Sequence, residues 1–208
     1  MTSAIQSGTS GWGGRAWTSV RAAGPRPPPP VTSSDDALVT AAAAGSPLAF
    51  GRLVERHQQV LRTFLRRLCG EWSLADDLAQ ETFLTAWPRL RRLSPDANVG
   101  AWLCGIGYRK HLTSRRGERR ARAREHDWAE AALEGGEGYA AEDRIALRAT
   151  MAELPVEQRA CVALCLAGGF SHAEAARVLD LPPGTVKSHV ARGRARLLRA
   201  LGESDDRP

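Results

Sequence analysis

The residues best suited to a binding function lie near the carboxyl end of the chain. Hydroxyl, ammonium, imidazole and guanidinium groups recur there with helical spacing, at Thr185, Lys187, Ser188, His189, Arg192 and Arg196. Hydroxyl and guanidinium groups read base edges in the major groove of DNA, and flanking Lys and Arg side chains neutralise phosphates. The alternative is the ordinary solvated side of an amphipathic helix. The arrangement of the helices that carry these residues distinguishes a DNA-binding face from a merely solvated one.

Two helices joined by a short turn are predicted to carry the basic face. Ser171 and Glu174 have the spacing of a capping box, which starts the first helix. The turn Asp180-Leu181-Pro182 ends that helix, and Pro183 occupies the first position of a longer one. Small or apolar residues face inward from both helices, at Ala175, Ala176, Leu179, Val186, Val190, Gly193, Leu197 and Leu201. Cap, turn, apolar stripe and basic face together predict a helix-turn-helix that binds DNA.

A second polar face lies on a helix predicted for residues 73–93. Its members, opposite an apolar stripe of three-four spacing, are Asp76, Asp77, Gln80 and Glu81. Such a face is commonly only solvated. Asp76 and Asp77 are also the one candidate pair of metal-binding carboxylates, which an enzyme acting on nucleic acid would require. Pro88 removes a backbone hydrogen bond, so the helix is expected to bend or end there.

A third polar region is strongly basic. It follows the apolar start of a helix predicted for residues 99–116, which a loop over residues 94–98 precedes. Eight Lys or Arg residues and one acid, Glu118, lie between Arg109 and Arg124. Such a run is either a solubilising helix end or a nucleic-acid contact.

The four cysteines offer little for metal or redox chemistry. Cys161 and Cys165 are four apart on one predicted helical face, and His172 follows closely. A zinc site is conceivable there, but two buried thiols acting as small apolar residues are the better interpretation. Motifs for phosphate-cradling loops and zinc hydrolases are absent from the sequence. We therefore predict a protein that is not an enzyme and needs no metal or other cofactor.

Composition and charge divide the chain into two helical units. Ala, Leu and Arg dominate the 208 residues, while Ile and Tyr are scarce and only 6% of residues are aromatic, and this bias favours helices. The net charge of +6 suggests either a polyanionic partner or merely a basic surface. An acidic, glycine-containing stretch separates two basic blocks. We predict an all-α fold of two small helical domains joined by a flexible linker. The predicted parts are a disordered tail (1–33), a first domain (34–116), the linker (117–141), a second domain (142–201) and a short tail (202–208).

Local signals mark the helix ends inside these domains. Ser46 and Pro47 start a helix that Gly70 ends. In the second domain, helices are expected over residues 142–153 and 156–167, separated by Leu154-Pro155 and stopped by Gly168-Gly169. No apolar run is long enough to span a bilayer, and the first residues lack the apolar centre of a secretory signal. A location in the reducing cytoplasm is expected.

Four stretches resemble bacterial sigma factors. Residues 76–87, DDLAQETFLTAW, resemble the second conserved region of these proteins, and residues 101–107, AWLCGIG, resemble the segment that comes after it. Residues 154–159, LPVEQR, and 184–189, GTVKSH, are similar to the sigma-four domain. The order and the short linker are those of the extracytoplasmic-function (ECF) group of the sigma-70 family, which has only these two domains. The resemblance covers residues 46–201.

The resemblance implies a sigma factor that binds core RNA polymerase and directs promoter recognition, −10 melting and transcription initiation of a stress or envelope-response regulon. It implies an anti-sigma factor as a further partner. Docking on core polymerase would fall on Asp76, Asp77, Gln80 and Glu81. Single-stranded −10 DNA would contact Asp96, Asn98, Trp102, Arg109, Lys110, Arg115 and Arg116. The duplex −35 element would contact Thr185, Lys187, Ser188, His189, Arg192 and Arg196.

This chain departs from the family pattern at several contact positions. Arg109 and Thr113 stand where many relatives carry Asn and Asp, His189 replaces a frequent Arg, and Pro182 replaces a frequent hydroxyl cap. The promoter sequence that it reads is therefore left open. The alternative function is a helix-turn-helix regulator that acts on duplex DNA without core polymerase and dimerises through residues 46–116.

Overall fold

The chain folds as a set of packed α-helices. A computed structural model describes residues 34–94, 97–121 and 141–202. The helices in that part are α1 (Ser34–Ala43), α2 (Pro47–Cys69), α3 (Trp72–Ala86), α4 (Val99–Ala121), α5 (Ala141–Glu153), α6 (Val156–Val162), α7 (His172–Leu179) and α8 (Pro183–Ala200). The tail predicted over residues 1–33, most of the predicted linker (122–140) and the end of the chain (203–208) lie outside the described residues. None of the described helices is long and apolar enough to cross a bilayer.

Helix α2 begins and ends where its local signals predict. The Ser46 hydroxyl accepts a hydrogen bond from the Ala49 N–H at 3.3 Å, and Pro47 follows as the first helical residue. Gly70 closes the helix in the left-handed conformation, with φ of 77°, and its N–H donates to the Arg66 carbonyl. A residue with a Cβ would be strained at that φ, which explains the glycine.

The helix predicted for residues 73–93 changes character at Pro88, as expected. Helix α3 ends at Ala86, and a 3₁₀ turn covers Trp87–Arg92. The turn brings the Trp87 ring to 4.2 Å from the Phe50 ring, centroid to centroid, and buries Leu90. These contacts fasten the end of the segment to α2.

Helix α6 continues into a wider π turn over Ala163–Ala167, which local propensities did not predict. The Gly168 N–H donates to the Ala163 carbonyl at 2.9 Å, five residues back, and the Phe170 N–H donates to Leu164 at 3.1 Å. Phe170 is buried, with its ring close to Gly100 of α4. The π turn therefore directs an aromatic ring from the second helical unit (α5–α8) onto the first (α1–α4).

Helices α7 and α8 form the predicted helix-turn-helix. The capping box is complete, since the Ser171 hydroxyl accepts from the Glu174 N–H while the Glu174 carboxylate accepts from the Ser171 N–H. Asp180 ends α7 in the left-handed region, with φ of 55°. Within α8, a Cβ built on Gly193 would lie 2.3 Å from Val162 Cγ2, so only glycine fits this crossing with α6.

The two helical units share one apolar core instead of holding separate ones. Buried side chains from both units belong to the same cluster, among them Leu61, Phe64, Leu78, Cys104, Tyr108, Leu164, Cys165, Val178 and Val186. A smaller cluster of Ala42, Ala49, Leu53 and Leu90 packs beneath α1. Burial of this surface stabilises the contact between the two units.

Candidate nucleic-acid interface

The basic face of α8 lies on the outside of the helix-turn-helix. Lys187, Ser188, Arg192 and Arg196 are exposed, whereas Thr185 and His189 are half-buried. The opposite side of the helix carries the predicted stripe, in which Val186, Val190, Gly193 and Leu197 are buried and Leu201 is half-buried. Leu198, which the prediction left out, is buried too. Six potential DNA contacts thus share one helix, on a face opposite its core.

Short-range contacts organise the polar groups of α8. The Ser188 hydroxyl donates to the Gly184 carbonyl at 2.9 Å, and an Arg192 guanidinium nitrogen lies 3.4 Å from His189 Nδ1. The Gln158 side chain of α6 donates to the His189 carbonyl at 3.4 Å. His189 and Arg192 therefore form one polar patch on the outer face of α8.

The polar face of α3 divides into an engaged and an exposed part. The Asp76 carboxylate lies 3.3 Å from Arg66 and 3.6 Å from Arg62, both on α2. Asp77, Gln80 and Glu81 are exposed. Leu84, one turn beyond Gln80, is 76% exposed. The exposed part of this face therefore combines polar groups with one apolar side chain.

Asn98 begins helix α4 and contacts the other unit. Its amide oxygen accepts from the Ala101 N–H at 3.1 Å, and its amide nitrogen donates to Glu174 at 2.8 Å. Trp102 is half-buried and packs against both apolar clusters. Asp96 and the side chains of Arg115 and Arg116 lie outside the described residues.

Two residues predicted for different partners are paired with each other. Arg109 is exposed, but the Lys110 ammonium lies 3.0 Å from the Glu81 carboxylate of α3. Glu81 was predicted to dock on polymerase and Lys110 to hold −10 DNA. The ion pair therefore joins the border of the α3 face to the basic surface of α4.

Comparisons with known proteins assign both units. Residues 53–121 match the family model for Sigma-70 region 2, and residues 144–197 match that for Sigma-70 region 4. The ECF RNA polymerase sigma factor SigM of Mycobacterium tuberculosis is 37% identical over 166 residues, which cover 76% of this chain and 80% of the relative. This chain belongs to the ECF RNA polymerase sigma factors. EcfG of Rhodopseudomonas palustris, another ECF sigma factor, is 36% identical over 143 residues, 68% of this chain and 78% of that protein.

Solved sigma-factor structures share the fold. The sigma factor RpoE of Bartonella quintana, solved in complex with the anti-sigma factor NepR, is similar with a TM-score of 0.66 and 28% identity, covering 76% of this chain and 98% of that chain. CnrH, solved with the cytosolic domain of CnrY, has a TM-score of 0.63 and 30% identity, covering 82% and 98%. The predicted family and the all-α class are confirmed. Members of this family regulate transcription and are not enzymes.

Three of the four thiols of this sigma factor are protected by burial. Cys104, Cys161 and Cys165 are buried, and burial raises the pKa of Cys161 and of Cys165 to about 12. Cys161 and Cys165 thus act as the small apolar residues that the sequence predicts. Among the described residues, no group of three or more His, Cys, Asp or Glu side chains could hold a metal ion. Asp76, half of the candidate carboxylate pair, instead contacts two arginines.

Two residues of interest were missed from the sequence. Leu84 lies seven residues after Asp77 and four after Gln80, and that spacing places an apolar residue on the polar face of α3. Glu174 was predicted only as part of a capping box. Nothing in the sequence pairs it with Asn98, because the two are 76 residues apart.

Proposed function

We propose that this sigma factor binds core RNA polymerase through α3 and promoter DNA through α4 and α8. The observation that carries the proposal is the outward placement of the α3 and α8 faces, on helices whose opposite sides are buried in one core. Exposed groups on fixed helices have a backbone that is pre-organised for a partner, so little backbone freedom is lost on binding.

The α3 docking face is proposed to consist of Asp77, Gln80, Glu81 and Leu84. Asp77 and Gln80 supply polar groups, and Leu84 supplies an apolar anchor that loses water on docking. Asp76 takes part indirectly, because its ion pairs with Arg62 and Arg66 fix α3 against α2.

The −10 element is proposed to bind as a single strand along the start and the basic side of α4. Asn98, Trp102, Arg109 and Lys110 offer an amide, an aromatic ring and two cations, and Asp96, Arg115 and Arg116 are further candidates. Captured single strands rely on base stacking and phosphate contacts. Binding energy from such contacts would offset the loss of stacking in the opened duplex.

The −35 element is proposed to bind as duplex DNA against the amino-terminal half of α8. In a helix-turn-helix, that end of the second helix enters the major groove. Thr185, Ser188, His189 and Arg192 would reach base edges, while Lys187 and Arg196 would contact phosphates. No catalytic step and no cofactor is needed for this function.

A regulatory partner is proposed from the relatives. RpoE was solved with an anti-sigma factor and CnrH with the cytosolic domain of CnrY. We infer that this chain also has an anti-sigma partner, acts in the cytoplasm and serves a stress or envelope response. The exposed α3 face and the line along which the two units meet are surfaces that such a partner could cover.

Reconstitution with core enzyme tests the function. The purified chain should co-purify with core RNA polymerase and support run-off transcription from a cognate promoter. Asp77→Lys should lower core affinity while leaving −35 duplex binding by the full chain unchanged, and Glu55→Lys on exposed α2 surface is the charge-matched control. A chain that binds −35 duplex but never core enzyme would instead be a conventional helix-turn-helix regulator.

A further inference from the structure

Side-chain hydrogen bonds join the two helical units across their shared core, and three of them lie between described residues far apart in sequence. Asn98 donates to the Glu174 carboxylate at 2.8 Å. Arg148 and Arg159 donate to the carbonyls of Gly70 and Leu68, both at 3.1 Å. The two arginines thereby place positive charge at the carboxyl-terminal end of α2, where a helix favours cations.

The Asn98–Glu174 bond is the most strongly organised of the three. Glu174 is 7% exposed, and its other carboxylate oxygen accepts from the Ser171 N–H and hydroxyl at 2.9 and 2.7 Å. Burial raises the pKa of this carboxyl, but the bonds from Ser171 and Asn98 outweigh burial and leave the pKa below its ordinary value of 4.5. Glu174 is therefore an anion at neutral pH, and its bond to the Asn98 amide is charge-assisted.

The closed arrangement is too short for a promoter. The −35 and −10 elements are centred about 25 base pairs apart, which is roughly 85 Å along B-DNA at about 3.4 Å per base pair. A compact body of about 150 residues has a radius of gyration of about 15 Å and hence a diameter of roughly 40 Å. The units that carry α4 and α8 must separate before both elements can be bound at once.

We propose that the Asn98–Glu174 hydrogen bond is a latch that holds the free chain in this closed form and opposes its assembly into a promoter-binding complex. Asn98 is one of the residues assigned to −10 DNA, and in the closed form its amide is bonded to the Glu174 carboxylate instead. The inhibitory part of the proposal rests on the proposed function. The conformational part does not, and it can be tested on the chain alone.

Asn98→Asp is the variant that should open the chain. Asp and Asn cap helices equally well, so α4 keeps its start. The new carboxylate would face Glu174, and like charges at hydrogen-bond distance repel strongly in a buried site. Small-angle X-ray scattering of the free full chain should show a larger radius of gyration for the variant than for the wild type.

Glu174→Gln supplies the matching single variant on the other side of the bond. Glutamine can complete the capping box with its one carbonyl oxygen, but its NH2 group then faces the Asn98 NH2 group, and two donors cannot form the bond. This single variant should therefore expand as well. The double variant Asn98→Asp/Glu174→Gln restores one donor and one acceptor with their roles exchanged, so it should close again.

Two results would overturn the latch. One is an Asn98→Asp chain as compact as the wild type. The other is a double variant as expanded as Asn98→Asp alone, since the expansion would then not depend on the pair. Circular dichroism on the same samples checks helix content. If Asn98→Asp fails to fold, Asn98→Ser takes its place, because serine also caps a helix but lacks the amide nitrogen that donates to Glu174, and a compact Asn98→Ser chain would equally reject the latch.

Core binding tests the inhibitory part. If core enzyme binds only open chains, the closed population weakens the apparent affinity, and Asn98→Asp should lower the apparent Kd for core about three- to tenfold. The α3 docking face is unchanged in this variant. If the wild type does not bind core at all, the proposed function fails and the scattering series still decides the latch. If an open Asn98→Asp chain binds core no more tightly than the wild type, the latch does not inhibit assembly.

Discussion

Asn98 and Glu174 connect the amino-terminal ends of two helices that belong to different units. Asn98 caps α4 through its amide oxygen, and Glu174 caps α7 through one carboxylate oxygen. The bond between them runs from the remaining amide nitrogen to the remaining carboxylate oxygen. The buried Glu174 carboxylate therefore lies at the amino termini of both helices, and a helix amino terminus favours negative charge.

Leu84 should contribute to core binding but little to folding. Because 76% of its surface is exposed, Leu84→Ala should leave thermal stability nearly unchanged while weakening core affinity by about 1–2 kcal/mol, as expected for a docking anchor. Leu48 on α2, 70% exposed, is the matched control. Fluorescence anisotropy of labelled chain with core enzyme measures both variants, and equal affinities for the two would remove Leu84 from the docking face.

Arg192→Ala should weaken binding to a −35 duplex by about 1–3 kcal/mol and relax base preference at one position, if the guanidinium reads a base. Arg52 is an exposed arginine on α2, so Arg52→Ala removes the same charge from another surface. Competition binding with single-base variants of the duplex separates the two effects. A uniform loss across all sequences would make Arg192 a phosphate contact instead.

Stability should fall as the pH drops below about 6.5 because of His57. Burial lowers the pKa of His57 from its ordinary value of 6.5, although Asp35, 3.1 Å away, partly opposes this. As the pH falls, the unfolded chain therefore takes up a proton at this residue before the folded chain does. The contribution of His57 to the unfolding free energy is complete above pH 6.5 and is lost as the pH falls toward the lowered pKa. Urea titrations between pH 8 and pH 5 should show this decline in the wild type.

His57→Gln should flatten that decline, because the substituted side chain does not titrate. The informative quantity is the difference in slope between the two chains, since other groups titrate in both. A variant with the same slope as the wild type would show that His57 is not the source.

Cysteine alkylation should be strongly selective. Cys69 is half-buried with its sulfur 3.4 Å from His111 Nδ1, whereas Cys104, Cys161 and Cys165 are buried. Burial also raises the pKa of these three thiols, and the thiol form is a poor nucleophile. A time course with iodoacetamide, read by peptide mass spectrometry, should modify Cys69 first. Equal early labelling of Cys161 would contradict its burial on α6.

Gly193→Ala should destabilise the helix-turn-helix by about 1–3 kcal/mol, because the added methyl group would overlap Val162. Gly184, also on α8, has open space where a Cβ would be placed. Gly184→Ala should be neutral or stabilising by about 0.5–1 kcal/mol, as alanine favours the helix. Thermal unfolding followed by circular dichroism distinguishes the two, and similar melting temperatures would mean that α6 and α8 can move apart cheaply.

Local chemistry predicted most of the helices. The ends of α2 follow from Ser46, Pro47 and Gly70, and the start of α7 follows from the Ser171–Glu174 box, because each signal acts over fewer than five residues. The bend at Pro88 and the inward stripe of α8 were predicted for the same reason. These features depend on the residue types themselves and hardly on what packs around them.

Contacts between distant parts of the chain were not predictable in this way. The sequence predicted two domains joined by a linker, but an apolar residue that faces its own domain looks the same in sequence as one that faces another domain. The pairing of Asp76 with Arg62 and Arg66, and of Glu81 with Lys110, likewise needed the helices to be placed first. The residue assignments on α3, α4 and α8 stay predictions.

The π turn at the end of α6 absorbs one residue of chain length. A π turn holds one residue more than the α-helix in its place. Loss of one residue between Ala163 and Ala167 would therefore restore ordinary winding with little rotation of the residues that follow, and Phe170 is expected to keep its place beside Gly100. An insertion or deletion earlier in α6 has no such turn to absorb it and would rotate the following residues by about 100°. Tolerance of a single-codon deletion is thus confined to one turn of the helix.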